Sequence, residues 1–368
     1  MAVYFRMKHL EQAWNRLFIR MVGRLMPAAP SEHPDWSAAP HRVLYLRHDK
    51  IGDMIVSTSL INAIARSHPT ITLDVLASPA NAPVLLGNPN VSSVIIWDKT
   101  RPGGYGRLLR ELRRARYDAV IDCMILAPST TTLLLMLASG AKHRIGVGGR
   151  INDYALTVRV PPARSAVHHI EHSAVLATAF GVDTNAVDWR PVIYFAEDEL
   201  ARVNQVWNGN HATAAEPRRR RLLLNVSAGP GRIRWPDARY IATLRHVRRR
   251  SPDVTILVIG APDDSERARG IAEGGGAEYV PTSTLRVALA LVATADIVFT
   301  PDTAIAHAAS ACGKPAVVLF EKGKEALWGR YGIPGHDIVS EDKMLSSITV
   351  EPVLAALDDL LELGHDAR

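Results

Sequence analysis

The chain has 368 residues, 47% of them hydrophobic and 22% charged, with a formal net charge of +6. That length favours two domains over one, and the composition is ordinary for a globular protein. The mild positive charge suits an acidic ligand or an anionic surface, while 6% aromatic content and no basic–aromatic stacking pattern count against nucleic acid.

Near the start, Trp14, Leu17, Phe18, Met21 and Leu25 recur at three- and four-residue steps beside a stripe of Gln12, Arg16, Arg20 and Arg24. Residues 1–26 therefore read as an amphipathic helix with a basic edge. Its apolar face either lies on an anionic membrane surface, each cation contributing ~1 kcal/mol, or packs on the body of the protein or on a second copy. The arginines exclude a secretory signal, and no stretch approaches the ~18 apolar residues of a spanning helix. Residues 27–40, rich in Pro, Ala and Ser, read as a linker.

From residue 41 short apolar runs alternate with helical patterns. Residues 42–47 form a strand, followed by a glycine turn and a helix over about 53–67. Further strands are expected at 72–76, 93–97 and 119–121, with a basic helix at 105–116 and a core helix at 132–141. Arg107, Arg110, Arg113 and Arg114 read as the solvated side of that basic helix. The pattern restarts with strands at 221–226, 254–260, 295–299 and 316–320 and helices after Pro236, Ser265 and Thr303. Residues 41–190 and 221–345 thus read as two similar α/β domains, each a Rossmann-like, doubly wound parallel sheet, facing a cleft at the strands' carboxyl ends. Residues 191–220 form the interdomain linker, and the run Arg218–Arg221 is its solvated edge. A last helix within 346–368 is expected to return to the first domain. Cys123 and Cys312 lie in apolar runs and read as buried thiols of a reducing compartment, with neither disulfide nor zinc spacing.

Four loops carry residues with chemistry. In Arg47-His-Asp-Lys-Ile-Gly-Asp53, Gly52 permits a tight turn and Asp53 opens a helix; Asp53 is either a general base or a plain N-cap. Lys50, in the same loop, is a further candidate to face the cleft. In Ser227-Ala-Gly-Pro-Gly-Arg-Ile-Arg-Trp-Pro236, Ser227 offers a hydroxyl and Arg232 or Arg234 can hold a phosphate by paired hydrogen bonds; the glycine spacing is not the dinucleotide fingerprint. In the third loop, Asp302, Thr303 and Ala304 start a small-residue helix whose positive end suits an anion, with His307 one turn further facing the cleft or the core. The fourth, Gly260–Asp264, places acids after a strand where ribose hydroxyls bind.

Four segments, RVLYLRHDKIGDMIVSTSLINAIARSHP, RIRWPDARYIATL, TPDTAIAHAASACGKPAVVLF and WGRYG (328–332), fall in the order and spacing of one family. Over roughly residues 41–340 the chain resembles glycosyltransferase family 9, the bacterial heptosyltransferases that build lipopolysaccharide core. The resemblance implies a GT-B fold and inverting, metal-independent transfer of heptose from ADP-heptose to a lipopolysaccharide-type or other surface glycan, with no cofactor. It implies Asp53 as general base and the Asp302–Thr303 turn with its helix as the diphosphate site. Where the family has a lysine before Trp-Pro, Arg232 or Arg234 stands here, Arg232 being the favoured one. Ala304 replaces a common glycine, and the ribose acid maps to Asp263, Asp264 or Glu266, with Asp264 taken. The implied partners are a nucleotide-sugar donor and a glycolipid or glycan acceptor, which the helix arginines could face, with membrane contact through residues 10–25. The implied location is the cytoplasm, at the inner face of the bacterial inner membrane. Two rivals remain: a nucleotide-sugar epimerase of the same fold, and a non-catalytic, membrane-associated nucleotide-sugar binder.

Overall fold

The computed structural model describes residues 17–22, 31, 34–126, 129–209, 219–228 and 234–362. They divide into two compact units: residues 1–50 with 57–189, and Ile51–Val56 with Arg190–Arg368.

The first unit is built on strands β1 (His41–Leu46), β2 (Ile71–Ala77), β3 (Ser93–Ile96), β4 (Ala119–Asp122), β5 (His143–Val147) and β6 (Val158–Val160), in the order β3-β2-β1-β4-β5-β6. Every pair is parallel, with His41 opposite Ile71 and Val43 opposite Ala119. Helices α1 (Ile51–Ser67), α2 (Gly104–Ala115), α3 (Thr130–Ser139) and α4 (His169–Ala174) follow in chain order. α2 shows how patterning sets the packing: Leu108 and Leu112, one turn apart, are buried in a core with Leu44, Leu46 and Val120, Leu109 packs against its edge, and Arg110 and Glu111 are exposed.

The second unit repeats the plan. Helix α5 (Glu197–Asn208) leads to β7 (Arg220–Asn225), α6 (Asp237–Arg250), β8 (Val254–Ile259), α7 (Ser265–Gly275), β9 (Glu278–Tyr279), α8 (Leu285–Thr294), β10 (Ile297–Pro301), α9 (Ala304–Ala311), β11 (Ala316–Phe320), α10 (Glu325–Trp328), β12 (Gly335–Val339) and α11 (Glu351–Glu362). The sheet order, β12-β11-β10-β7-β8-β9, is again all parallel. Read from β9, it is the same winding as the first sheet. In each sheet the chain reverses its direction of winding between two central strands, β1/β4 and β7/β10, and loops diverge there at the carboxyl ends to leave a crevice for a ligand.

Val353, Leu357, Leu360 and Leu361 of α11 lie in the core of the second unit, with Val317, Leu319 and Val247. One expectation from the sequence is corrected. Arg220 and Arg221 are not a solvated linker edge. They start β7, and Arg220 donates to the carbonyls of Leu360 (2.6 Å) and Leu361, which the end of α11 leaves without helical partners. Arg221 is buried, donating to Asn204 (2.6 Å) and Asn208 (3.1 Å) of α5. In the helical residues 17–22, Ile19 enters the first unit's core, whereas Leu17 and Met21, taken as the apolar stripe, are 60% and 52% exposed. Trp14 and Leu25 lie outside the described residues.

Candidate functional site

The β7/β10 crevice of the second unit is lined by hydroxyls and amides that fix one another. Asn225, the last residue of β7, donates from Nδ2 to Thr300 Oγ1 (2.9 Å) and Thr303 Oγ1 (3.1 Å). The two threonine hydroxyls lie 3.2 Å apart. Thr303 is the N-cap of α9, its side chain accepting from the Ile305 amide (3.3 Å). Asn225 Oδ1 in turn accepts from the Ser227 amide (3.1 Å), and Ser227 Oγ accepts from the Ala261 amide. Strand β7, the turn after β10 and the loop after β8 are thereby tied into one rim. The rim opens on the positive end of α9, whose first turn carries only small or aliphatic side chains, Ala304, Ile305 and Ala306.

The loop after β7 is pinned at both margins. Arg267 of α7 donates to the carbonyls of Val226 (2.6 Å) and Trp235 (2.9 Å). Trp235 is fully buried, edge-on to Tyr240 and Phe299, with its indole N–H on the Ile348 carbonyl (2.8 Å). The Trp-Pro pair is thus an anchor for the loop, not a ligand contact. Arg232 lies outside the described residues. Arg234 pairs with Asp264 at 2.7 Å, so two residues read separately as phosphate and ribose contacts hold one another; Asp264 is buried, and Asp263 and Glu266 are exposed.

Asp53 stands in the first turn of α1 but is not its N-cap, a position taken by the extended backbone of Lys50. The start of α1, Ile51–Val56, clusters with the second unit. There a Cβ added to Gly52 would lie 2.7 Å from His307 Cδ2 and 3.7 Å from Ala304 Cα, so only glycine lets this turn approach α9 so closely. His307 is buried and edge-on to Trp328, with ring centroids 5.9 Å apart. Asp53, Asp302, Thr303, Ala304 and His307 therefore gather in one unit, together with Ser227, Arg234 and Asp264. Lys50 belongs to the first unit, exposed, with its carbonyl facing the Asn81 amide at 3.5 Å.

Asn225, Arg267 and Trp328 are the residues that reading for functional side chains passed over. Trp328 was present only as part of WGRYG. That segment is a built turn: a Cβ on Gly329 would collide with the Glu325 carbonyl, and Arg330 pairs with Asp337 at 2.7 Å. Among the described residues no three His, Cys, Asp or Glu side chains gather as a metal-binding group.

The loop after β1 in the first unit is a buried polar layer. Arg47, 2% exposed, donates to Ser57 Oγ (2.9 Å) and Asp49 Oδ2 (3.1 Å). His48, beside it, stacks edge-on against Trp97, and its Nδ1 has no hydrogen-bond partner among the described residues. Burial, with the nearby Lys99 charge, pulls its imidazole down from 6.5 to about 4. The folded unit binds this proton less readily than the unfolded chain, so stability is full above about pH 6.5 and falls as pH drops toward 4. Hydrogen exchange in β1 should show a loss on the order of 2–3 kcal/mol across that window, and His48→Gln should flatten it. An unchanged slope in the variant would assign the titration elsewhere.

Two doubly wound α/β sheets, one with a polar rim aimed at a helix start, define a two-domain protein of the GT-B type. Residues 105–344 match the model of glycosyltransferase family 9 (heptosyltransferase). The chain is 23% identical over 296 residues to lipopolysaccharide heptosyltransferase 2 of Escherichia coli K12, covering 76% of this chain and 82% of that one. It is 24% identical over 344 residues to lipopolysaccharide heptosyltransferase 1 of E. coli O18:K1:H7, covering 87% and 98%. In fold it is similar to a family 9 glycosyltransferase from Veillonella parvula, with TM-score 0.76, 19% identity and 90% and 99% coverage. It is likewise similar to an E. coli heptosyltransferase solved with ADP-2-deoxy-2-fluoro heptose, with TM-score 0.66, 19% identity and 86% and 99% coverage. The chain belongs to glycosyltransferase family 9 and is a glycosyltransferase.

Proposed function

We propose that the protein moves heptose from ADP-heptose to a hydroxyl of a lipopolysaccharide-core acceptor, by a single inverting displacement. The observation that carries this reading is the Asn225–Thr300–Thr303 network, which fixes a hydroxyl at the start of α9 in the same unit as Asp53. Two kinds of relative support the substrates: proteins named as lipopolysaccharide heptosyltransferases, and an E. coli heptosyltransferase solved with ADP and with an ADP-heptose analogue.

In such a transfer, negative charge grows on the departing diphosphate. Thr303 Oγ1 and the positive end of α9, already oriented by Asn225, stabilise that charge without reorganising. Arg232, or Arg234 released from Asp264, supplies a cation. His307, held between Gly52 and Trp328, lines the same helix face as the donor. Asp53 takes the proton from the acceptor hydroxyl as the new bond forms.

Residues 17–22 support peripheral docking on the inner face of the inner membrane from the cytoplasm, because Leu17, Met21 and Arg20 are exposed together. No helix among the described residues is long and apolar enough to cross a membrane.

The test is incubation with ADP-heptose and a heptose-deficient core glycolipid, in parallel with GDP- and UDP-linked sugars. The expected result is ADP release coupled to a one-heptose mass gain on the acceptor, with ADP binding weakened about tenfold or more by Thr303→Val. An epimerised sugar with no acceptor product, or nucleotide binding without turnover, would overturn the reading.

A further inference from the structure

The first unit has a second concave, cationic feature, at the opposite end of its sheet from the carboxyl ends of the strands. Arg107, Arg110 and Arg114 of α2 lie at i, i+3 and i+7, along the flank of the buried Leu108–Leu112 face. They line a cavity of about 490 Å3 together with Arg42, from the beginning of β1, and Tyr117, just ahead of β4. Arg107, Arg110 and Arg114 are themselves exposed. Here they share one hollow with an arginine from another element.

The floor of the hollow is held rigidly. Arg42 donates to Asp74 Oδ2 (2.7 Å) and to the Ala115 carbonyl (2.9 Å), and its guanidinium lies 5.1 Å from the centre of the Tyr117 ring. The Tyr117 hydroxyl donates to the same Asp74 oxygen at 2.8 Å. Asp74 is 2% exposed, and its Oδ1 has no hydrogen-bond partner among the described residues. Its charge is engaged in fixing Arg42 and Tyr117; the other acid among the described residues lining the cavity is Glu111, and Arg110 Nε donates to the Gly106 carbonyl (3.1 Å). Like charges along a helix flank repel, so the arrangement costs free energy until an anion enters.

We propose that this cavity binds a phosphate group, a site separate from the one at Thr303. Arginines from two turns of α2 line the cavity beside Arg42 of β1, and several guanidinium donors in one hollow suit a tetrahedral anion with several acceptor oxygens better than a carboxylate that fills one fork. The phosphate belongs either to the headgroup of an anionic phospholipid or to a soluble phosphorylated molecule, and the chemistry of capture is the same.

The test titrates the full chain with inorganic phosphate and follows NMR shifts of the α2 amides, so that phosphate bound beside α9 does not enter the readout. Wild-type α2 amides should shift saturably. The double variant Arg107→Gln/Arg114→Gln should weaken binding about tenfold or more, and Glu111→Gln should tighten it. A gain in the second variant cannot come from misfolding. In parallel, flotation with phosphatidylglycerol–phosphatidylcholine vesicles is compared with phosphatidylcholine alone. Flotation lost in the double variant assigns the phosphate to lipid; retained flotation with lost phosphate shifts assigns it to a soluble ligand. Unshifted α2 amides in the wild type, or equal affinities in all three proteins, would overturn the proposal, whatever the outcome of the transferase assay.

Discussion

Asp53→Asn is expected to lower the rate of sugar transfer by roughly 100- to 10,000-fold while leaving the affinity for ADP unchanged, the span that a positioned general base typically contributes. The geometry behind this expectation is specific. Asp53 does not cap α1, since Lys50 holds that position. It follows directly on Gly52, whose missing side chain lets the turn sit against His307 and Ala304. In the proposed mechanism the residue that follows Gly52 takes the acceptor proton, while Thr303 and the start of α9 hold the diphosphate. Asparagine keeps the size and hydrogen-bonding ability and removes only the proton acceptor. Initial rates with ADP-heptose, read beside calorimetric ADP binding, separate the two effects. A variant within a few-fold of wild-type rate would remove Asp53 from the chemistry, and a variant that loses ADP binding in step with rate would make it a donor contact.

How much of this was readable in the chain depended on the kind of signal. The alternation of apolar runs and helical periods pointed to two doubly wound domains, because a buried parallel strand and an amphipathic helix have different periods. The glycine turn before Asp53 and the Thr-Pro-Asp-Thr turn before a small-residue helix were legible because their residue types are themselves the mechanism. Asn225 was not: one polar residue at the end of Leu-Leu-Leu-Asn-Val looks like any strand terminus, and its partners are 75 and 78 positions away. Arg220 and Arg221 were misread because a charge run is ordinarily solvated, and only the folded chain brings the end of α11 and the amides of α5 to them. β9, two residues long, is too short for periodicity to register. The pairing of Arg234 with Asp264 was likewise hidden, since each was read for a ligand and neither for the other.

The other large effect is expected at a pair remote from the substrates. Arg286 of α8 is buried and donates from Nε to Glu199 Oε1 (2.8 Å) and from Nη2 to Glu199 Oε2 (2.5 Å) and to the Tyr194 carbonyl (2.8 Å), with Phe195 stacked beneath it at 4.6 Å. Glu199 Oε2 also accepts from the Ala196 amide (3.0 Å), closing the first turn of α5. Glu199→Ala would strand a buried guanidinium, and the second unit should lose about 3–5 kcal/mol, as is usual when one partner of a buried pair is removed. Adding Arg286→Met should recover much of that loss, because the unpaired charge goes with it. Since α8 leads directly into β10 and the Thr300–Thr303 turn, exchange protection of β10 is the appropriate readout. Acid offers an independent check. The arginine's hydrogen bonds hold the Glu199 carboxyl down from 4.5 to about 2, so its contribution is complete above about pH 4.5 and is lost as pH falls through 2. The wild-type β10 should lose protection in that interval and the double variant should not. The first unit yields earlier, between about pH 6.5 and 4, through His48. Acid should therefore loosen β1 before β10; a single concerted loss, or a double variant no more stable than Glu199→Ala, would deny the pair its role as the clamp on β10.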